Sequence, residues 1–250
     1  MAEQYTETDR FRGARFERCD LHGVEVRDSD VTGLRIVDSF VHDVLIAGDL
    51  RNVVVNDIDV TAFVENELDR RYPERAQARD VRTAADYRAA WRAIEALWAA
   101  TVERARRLPD AALHEQVGGE WSFVETHRHL LFAGDAWVGS AVLEEEQPYH
   151  RLGYPASGYP PADAAALGIE LDARPSLDEV LTARAGRSAA VGRVIDALTV
   201  AELARVCTRK PSPLYPDQEY TVGRCIRVVL REEAEHRRYA ERDLAALEAC

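Results

Sequence analysis

Cysteine is scarce in this chain and scattered along it. Cys19, Cys207, Cys225 and Cys250 form no CxxC pair and no spacing that would staple a small secreted scaffold or hold a thiolate zinc site, so they read as buried or incidental thiols. Long apolar runs are missing as well: no stretch approaches the ~18 consecutive apolar residues of a membrane-spanning helix. The polar opening MAEQYTETDRFRG has no basic-then-apolar leader, and a cytoplasmic protein is expected. Positive charge is in deficit, with 32 Lys plus Arg against 44 Asp plus Glu and a net charge of −12, which disfavours a nucleic-acid or anionic-membrane surface as partner. There is no GxSxG elbow, P-loop or GxGxxG fingerprint, and each absence removes a class of enzyme. Small-molecule chemistry and protein partners remain.

A length of 250 residues, 46% of them hydrophobic, suits one large domain or a small domain joined to a medium one. The first positive feature is a five-residue period. Phe11, Phe16, Leu21, Val26, Val31, Ile36, Val41 and Ile46 recur without a miss, each from Phe16 onward preceded by two positions by a small or medium residue, Ala14 through Val44. No helix uses that period, whereas a square, right-handed β-solenoid does, with one apolar residue pointing inward from each side. The stretches ARFER, CDLHG and SDVTG resemble the pentapeptide-repeat family, and the resemblance implies a solenoid over residues 1–60. Eight central residues make only two coils, so the solenoid is expected to lean on the rest of the chain.

Residues 61–84 are charged and read as a junction. Helical periodicity follows. Residues 85–108 carry Trp91, Ile94, Leu97 and Trp98 at three-to-four spacing. Capping boxes Ser122-Phe-Val-Glu125 and Ser176-Leu-Asp-Glu179 open a second helix reaching about Leu143 and a third reaching about Leu198. A fourth runs from after Thr221 to the C-terminus. Such helices, each about 30 Å long, pack as a four-helix bundle. The loop from Gln147 to Pro175, with five prolines and three glycines, is long enough to rim a site.

Of seven histidines, His22, His42, His114 and His150 read as surface residues, while His127, His129 and His236 fall inside helices. Glu232 and His236 stand four apart, so one helix face presents both. REEAEHRRYAERD is also the kind of charged run that forms solvated i,i+4 pairs, and Glu233 competes as the partner of His236. Against that, Ile226, Val229, Glu232, His236, Tyr239 or Ala240, Asp243 and Leu247 make one continuous three-to-four stripe that turns the pair toward the interior, where a divalent cation and a third ligand would satisfy both groups. Helix two offers His127 or His129, which point about 200° apart, and periodicity leaves the choice open. Arg128 is expected to meet solvent, Arg242 and Asp243 to form a salt bridge, and Asp135 and Trp137 to pack.

GEWSFVETHRHLLFAGDAW and VVLREEAEHRRYAERDL resemble the second-helix and closing motifs of the DinB-like superfamily over residues 85–250. There a His-Leu pair follows eight residues after a tryptophan, which in this chain is His129 after Trp121. The Glu-x-x-x-His pair is similar to the branch that includes mycothiol-dependent maleylpyruvate isomerase. The resemblance implies an all-α four-helix bundle behind the short β-solenoid, with His129, Glu232 and His236 holding a divalent metal, zinc in the first place. It further implies a low-molecular-weight thiol such as mycothiol as cosubstrate and an electrophilic small molecule as acceptor. The isomerase of that branch carries an extra C-terminal domain, whereas the closing motif here runs directly to Cys250, so thiol transfer is expected ahead of isomerisation. Metal-dependent hydrolysis, a non-enzymatic interaction or stress-response module, and a purely structural metal site are the rival expectations, and a homodimer is compatible with all of them.

Overall fold

The computed structural model describes residues 3–249, and Cys250 lies outside the described residues. The chain divides into two compact units, Met1–Ile46 and Ala47–Cys250. In the first, φ turns positive every fifth residue, at Gly13, Arg18, Gly23, Asp28, Gly33, Asp38 and Asp43, and again at Gly48 just beyond, so the sequence period is a real backbone period.

The expected β-solenoid does not form. Its backbone hydrogen bonds are local turns, such as Ala14 N–H to Phe11 O and Val24 N–H to Leu21 O. The central residues Phe11 to Ile46 stay 41–60% exposed. Among the described residues the one sheet is a hairpin of β1 (Val54–Val55) and β2 (Ile58–Asp59), paired Val54 with Asp59 and Val55 with Ile58. Two coils are too few: stacked repeats bury their inner residues against layers on both sides, and here neither coil has two.

The second unit is helical. The charged segment read as a junction holds two helices, α1 (Thr61–Arg71) and α2 (Pro73–Arg79). Arg75 ties them down, reaching Asp69 at 3.0 Å, Glu65 at 3.4 Å and Glu235. The long helices follow: α3 (Ala84–Ala105), α4 (Phe123–Gly134), α6 (Leu177–Asp196) and α8 (Val222–Glu248). Short helices α5 (Pro161–Ala166) and α7 (Val200–Ala204) lie in the connections. Helix α4 continues without a break into a π-helical stretch, Asp135–Val142.

Both boxes foreseen in the sequence are present, Ser122 with Glu125 and Ser176 with Glu179, and Thr83 with Asp86 forms a third. Thr221 caps α8 by accepting from the Arg224 amide. The four long helices form a closed ring in which α3 meets α8, α8 meets α4, α4 meets α6, and α6 meets α3. Tyr87, Ile94, Leu131, Ile195, Ile226, Leu230 and Leu244 fill the space between them. Each such burial is worth roughly 1.5–3 kcal/mol against exposure, the dominant favourable contribution to a bundle of this kind. No helix among the described residues is long and apolar enough to cross a membrane.

Ser176→Ala removes one capped amide at the start of α6, far along the chain from the metal-ligand candidates. It is expected to cost about 1 kcal/mol, read as a lower urea midpoint at unchanged slope.

Candidate metal centre

On α8, Glu232 and His236 share a face because four residues make just over one turn. His129 arrives from α4, two turns inside its Ser122 cap. One ligand atom from each of the three lies within 4.8 Å of the others, and this is the only such group of metal-ligating side chains among the described residues. The Glu232 carboxylate stands between the two rings, with Oε2 3.4 Å from His129 Nε2 and 3.3 Å from His236 Nδ1.

The hydrogen bonds around the rings decide which nitrogens are free. His129 Nδ1 lies 3.0 Å from the Tyr154 carbonyl, and His236 Nδ1 lies 2.9 Å from the backbone carbonyl of Glu232. A carbonyl only accepts, so both Nδ1 atoms carry the proton and both Nε2 atoms present lone pairs. His129 Nε2 then faces the Glu232 carboxylate, acceptor against acceptor. A cation between them resolves the conflict: tetrahedral ligands about 2.0–2.2 Å from an ion stand roughly 3.4 Å apart, which is the separation found.

Burial, with the neighbouring His129, pushes His236 down to about 4, so it is a neutral imidazole at pH 7. Burial works against the charged form of Glu232, but its contact with His129 and the fields of the nearby His236 and Arg231 outweigh it, and the carboxyl stays below its usual range. The donor set is therefore two nitrogens and one carboxylate, borderline-hard ligands suited to a divalent cation.

Trp121, next to the Ser122 cap, roofs the group. Its indole stacks on His236 at 5.8 Å with 13° between the planes and lies 4.5 Å from the His129 ring. Tyr154 closes edge-on against it at 5.9 Å. The 147–175 loop thus does border the three residues, as its length suggested.

The structure separates the two helix-two histidines. His127 is fully buried between Trp98 and Phe123, each 4.7 Å from its ring, and its Nδ1 accepts from Arg184 at 2.8 Å. Burial first, and then the Arg184 charge, push its pKa well down. Arg184 also pairs with Glu233, so the residue that competed for His236 turns instead toward α6.

Arg128 corrects the sequence expectation of solvent contact. It is 3% exposed, and its guanidinium donates to the carbonyls of Leu152, Glu170, Leu171 and Ala173 while lying over the Tyr154 ring at 5.0 Å. Its own carbonyl accepts from the Tyr154 amide at 3.1 Å. One side chain therefore pins the loop that supplies the carbonyl holding His129. Nothing local in the sequence signals this, because the acceptors lie 24 to 45 positions away. Asp135 pairs with Arg187 at 2.6 Å and Trp137 packs edge-on against Tyr215 and Tyr220, while Arg242 pairs with Asp243 at 2.7 Å.

Arg128→Met frees four carbonyls and loosens Tyr154. A roughly 10–100-fold loss of cation affinity is expected with the helical circular dichroism retained, measured by competition with a chromogenic chelator. The metal-free protein has a second signature. Between pH 4 and 6.5 the unfolded chain protonates the His236 imidazole and the folded chain does not, so stability rises with pH across that window. Melting temperature should fall on acidification from 6.5 to 4, and fall less in His236→Gln.

A family model described as the DinB superfamily matches residues 93–240, which takes in α4, the 147–175 loop and all three converging side chains. No curated protein and no solved structure matches the chain. With that match spanning more than half of its length, the chain belongs to the DinB superfamily.

Proposed function

We propose that this protein is a metal-dependent enzyme that transfers a low-molecular-weight thiol, of the mycothiol type, to an electrophilic small molecule. The observation that carries the proposal is the acceptor-against-acceptor meeting of His129 Nε2 and the Glu232 carboxylate, with His236 beside them. A divalent cation, zinc by the preference of a two-nitrogen, one-carboxylate set, fits there with a coordination position left open, the arrangement of catalytic sites. When bound, the cation would supply the field that draws the proton off an entering thiol at neutral pH.

The rest falls to the chain's own side chains. Tyr154 and the Glu232 backbone hold the two imidazoles in the tautomer with free Nε2. Glu232, a third exposed at its side chain, is the carboxylate placed to receive the proton the thiol gives up. Trp121 and Tyr154 keep water from one side and offer flat apolar walls to an unsaturated acceptor. Tyr239, edge-on to His236 and flanked by Arg238 and Arg242, offers positive potential for an acidic group on thiol or acceptor.

Metal content of the wild type is compared with His129→Ala, Glu232→Ala and His236→Ala, followed by turnover of electrophiles with and without thiol. The expected result is about one divalent cation per chain, lost in each variant, and product formation that needs both metal and thiol. Wild type that stays metal-free after reloading removes the proposal. Metal-dependent turnover without thiol would replace it with hydrolysis by the same residues.

A further inference from the structure

Two thiols inside the helical unit take no part in the metal centre. Cys207 lies on the extended segment after α7, and Cys225 in the first turn of α8, yet their Sγ atoms are 4.0 Å apart. Cys225 is wholly buried and Cys207 is 8% exposed, so only one of the two has a route to solvent. The backbone fixes their separation. Val206 pairs antiparallel with Thr221, the Cys207 amide donates to Tyr220 O at 2.8 Å, and the Val222 amide donates to Arg205 O at 2.9 Å. The Cys225 amide closes the first helical turn onto Thr221 O at 2.9 Å. Both cysteines are thus anchored to the same bridge, and side-chain rotation has roughly 2 Å to close to reach a sulfur–sulfur bond.

We propose that Cys207 and Cys225 are an oxidisable pair that a peroxide converts to an intramolecular disulfide, Cys207 attacking and Cys225 resolving. The Cys207 thiolate takes the distal oxygen of hydrogen peroxide, giving a sulfenic acid and releasing hydroxide. The Cys225 thiol then displaces that oxygen as water, its own proton completing the molecule, and the proton that Cys207 lost on ionising neutralises the hydroxide. Two thiols are oxidised and one peroxide is reduced to two waters. The polarity of the pair matches these roles. The hydrogen bond from Cys225 and the nearby Arg205 outweigh burial and lower the Cys207 thiol, while that same bond and burial push Cys225 up. A low, partly exposed thiol is the one peroxide meets first.

The bond would close the base of the loop between the two residues. That loop packs on an aromatic cluster: Lys210 O accepts from Ser140, Pro211 O from the Tyr149 hydroxyl at 2.6 Å, and Tyr215 meets Trp137 edge-on. Tyr149 stacks in turn on Phe132, whose ring is 6.4 Å from that of His129. Oxidation therefore fixes a segment that two aromatic rings, Tyr149 and Phe132, separate from His129, although the chemistry needs no metal.

The test uses the full chain carrying Cys19→Ser and Cys250→Ser, which leaves only this pair. After hydrogen peroxide, thiols titrated in denaturant should fall from two to none per chain and return with dithiothreitol. Tryptic digestion without reductant should give Val206–Arg209 joined to Cys225–Arg227, and the melting temperature should rise by several degrees as loop closure restricts the unfolded chain. In Cys225→Ala, peroxide should carry Cys207 on to sulfinic acid, because nothing resolves it. Unchanged thiol counts, cross-linked dimers, or sulfinic acid at Cys207 with Cys225 still present would each overturn the proposal.

Discussion

Arg184 sets the rotation of two helices at once. Its guanidinium, buried over the face of Trp98 at 5.0 Å, serves Glu233 on α8 and His127 on α4 together. An unpaired buried carboxylate would cost several kcal/mol, so α8 cannot turn Glu233 away from α6 without a large penalty. Glu232 is the next residue and points about 100° away, and His129 points about 200° from His127. Once Arg184 holds Glu233 and His127, Glu232 and His129 are left facing the opposite seam, where His236 joins them. The converging residues follow from a polar contact that none of them makes.

This division explains why adjacent acids on one helix have different fates. Glu233 sits in a sealed core with a fixed guanidinium, a structural ion pair with little room to change. Glu232 sits at the rim, among imidazoles whose second nitrogens are already committed to carbonyls. The rim is built from outside the bundle: the Tyr154 carbonyl is held there by Arg128, a side chain from the helix that also bears His129, so ligand and orienting group are positioned from one element.

Much of the helical unit was readable from residues alone. Ser122 with Glu125 and Ser176 with Glu179 marked helix starts because a capping box is local chemistry, fixed by three-residue spacing. The stripe on α8 gave the seam for the same reason. What escaped the sequence was non-local. Helices α1 and α2 hid in a segment whose charges look solvated but are spent on one another and on Glu235. Arg128 looked exposed because its partners are loop carbonyls far along the chain. The choice between His127 and His129 turned on Arg184, invisible from either helix. Cys207 and Cys225 looked scattered because their nearness depends on the Val206 and Thr221 bridge. The N-terminal period was legible as a backbone rhythm but not as a closed solenoid, since closure depends on how many layers stack rather than on the pattern within one.

The π-helical stretch Asp135–Val142 sits immediately downstream of the residues that matter most on α4. A π-helix carries more residues per turn than the α-helix feeding it, so it acts as a reservoir of chain length. Loss of a residue there can be absorbed by reversion to α-helical bonding, turning only the exit toward the 147–175 loop. The same loss between Ser122 and His129 would swing the ring of His129 by about 100° and take it from Glu232 altogether. Length variation along this helix should therefore be tolerated after Gly134 and forbidden before it, a polarity that natural insertions and deletions would have to respect.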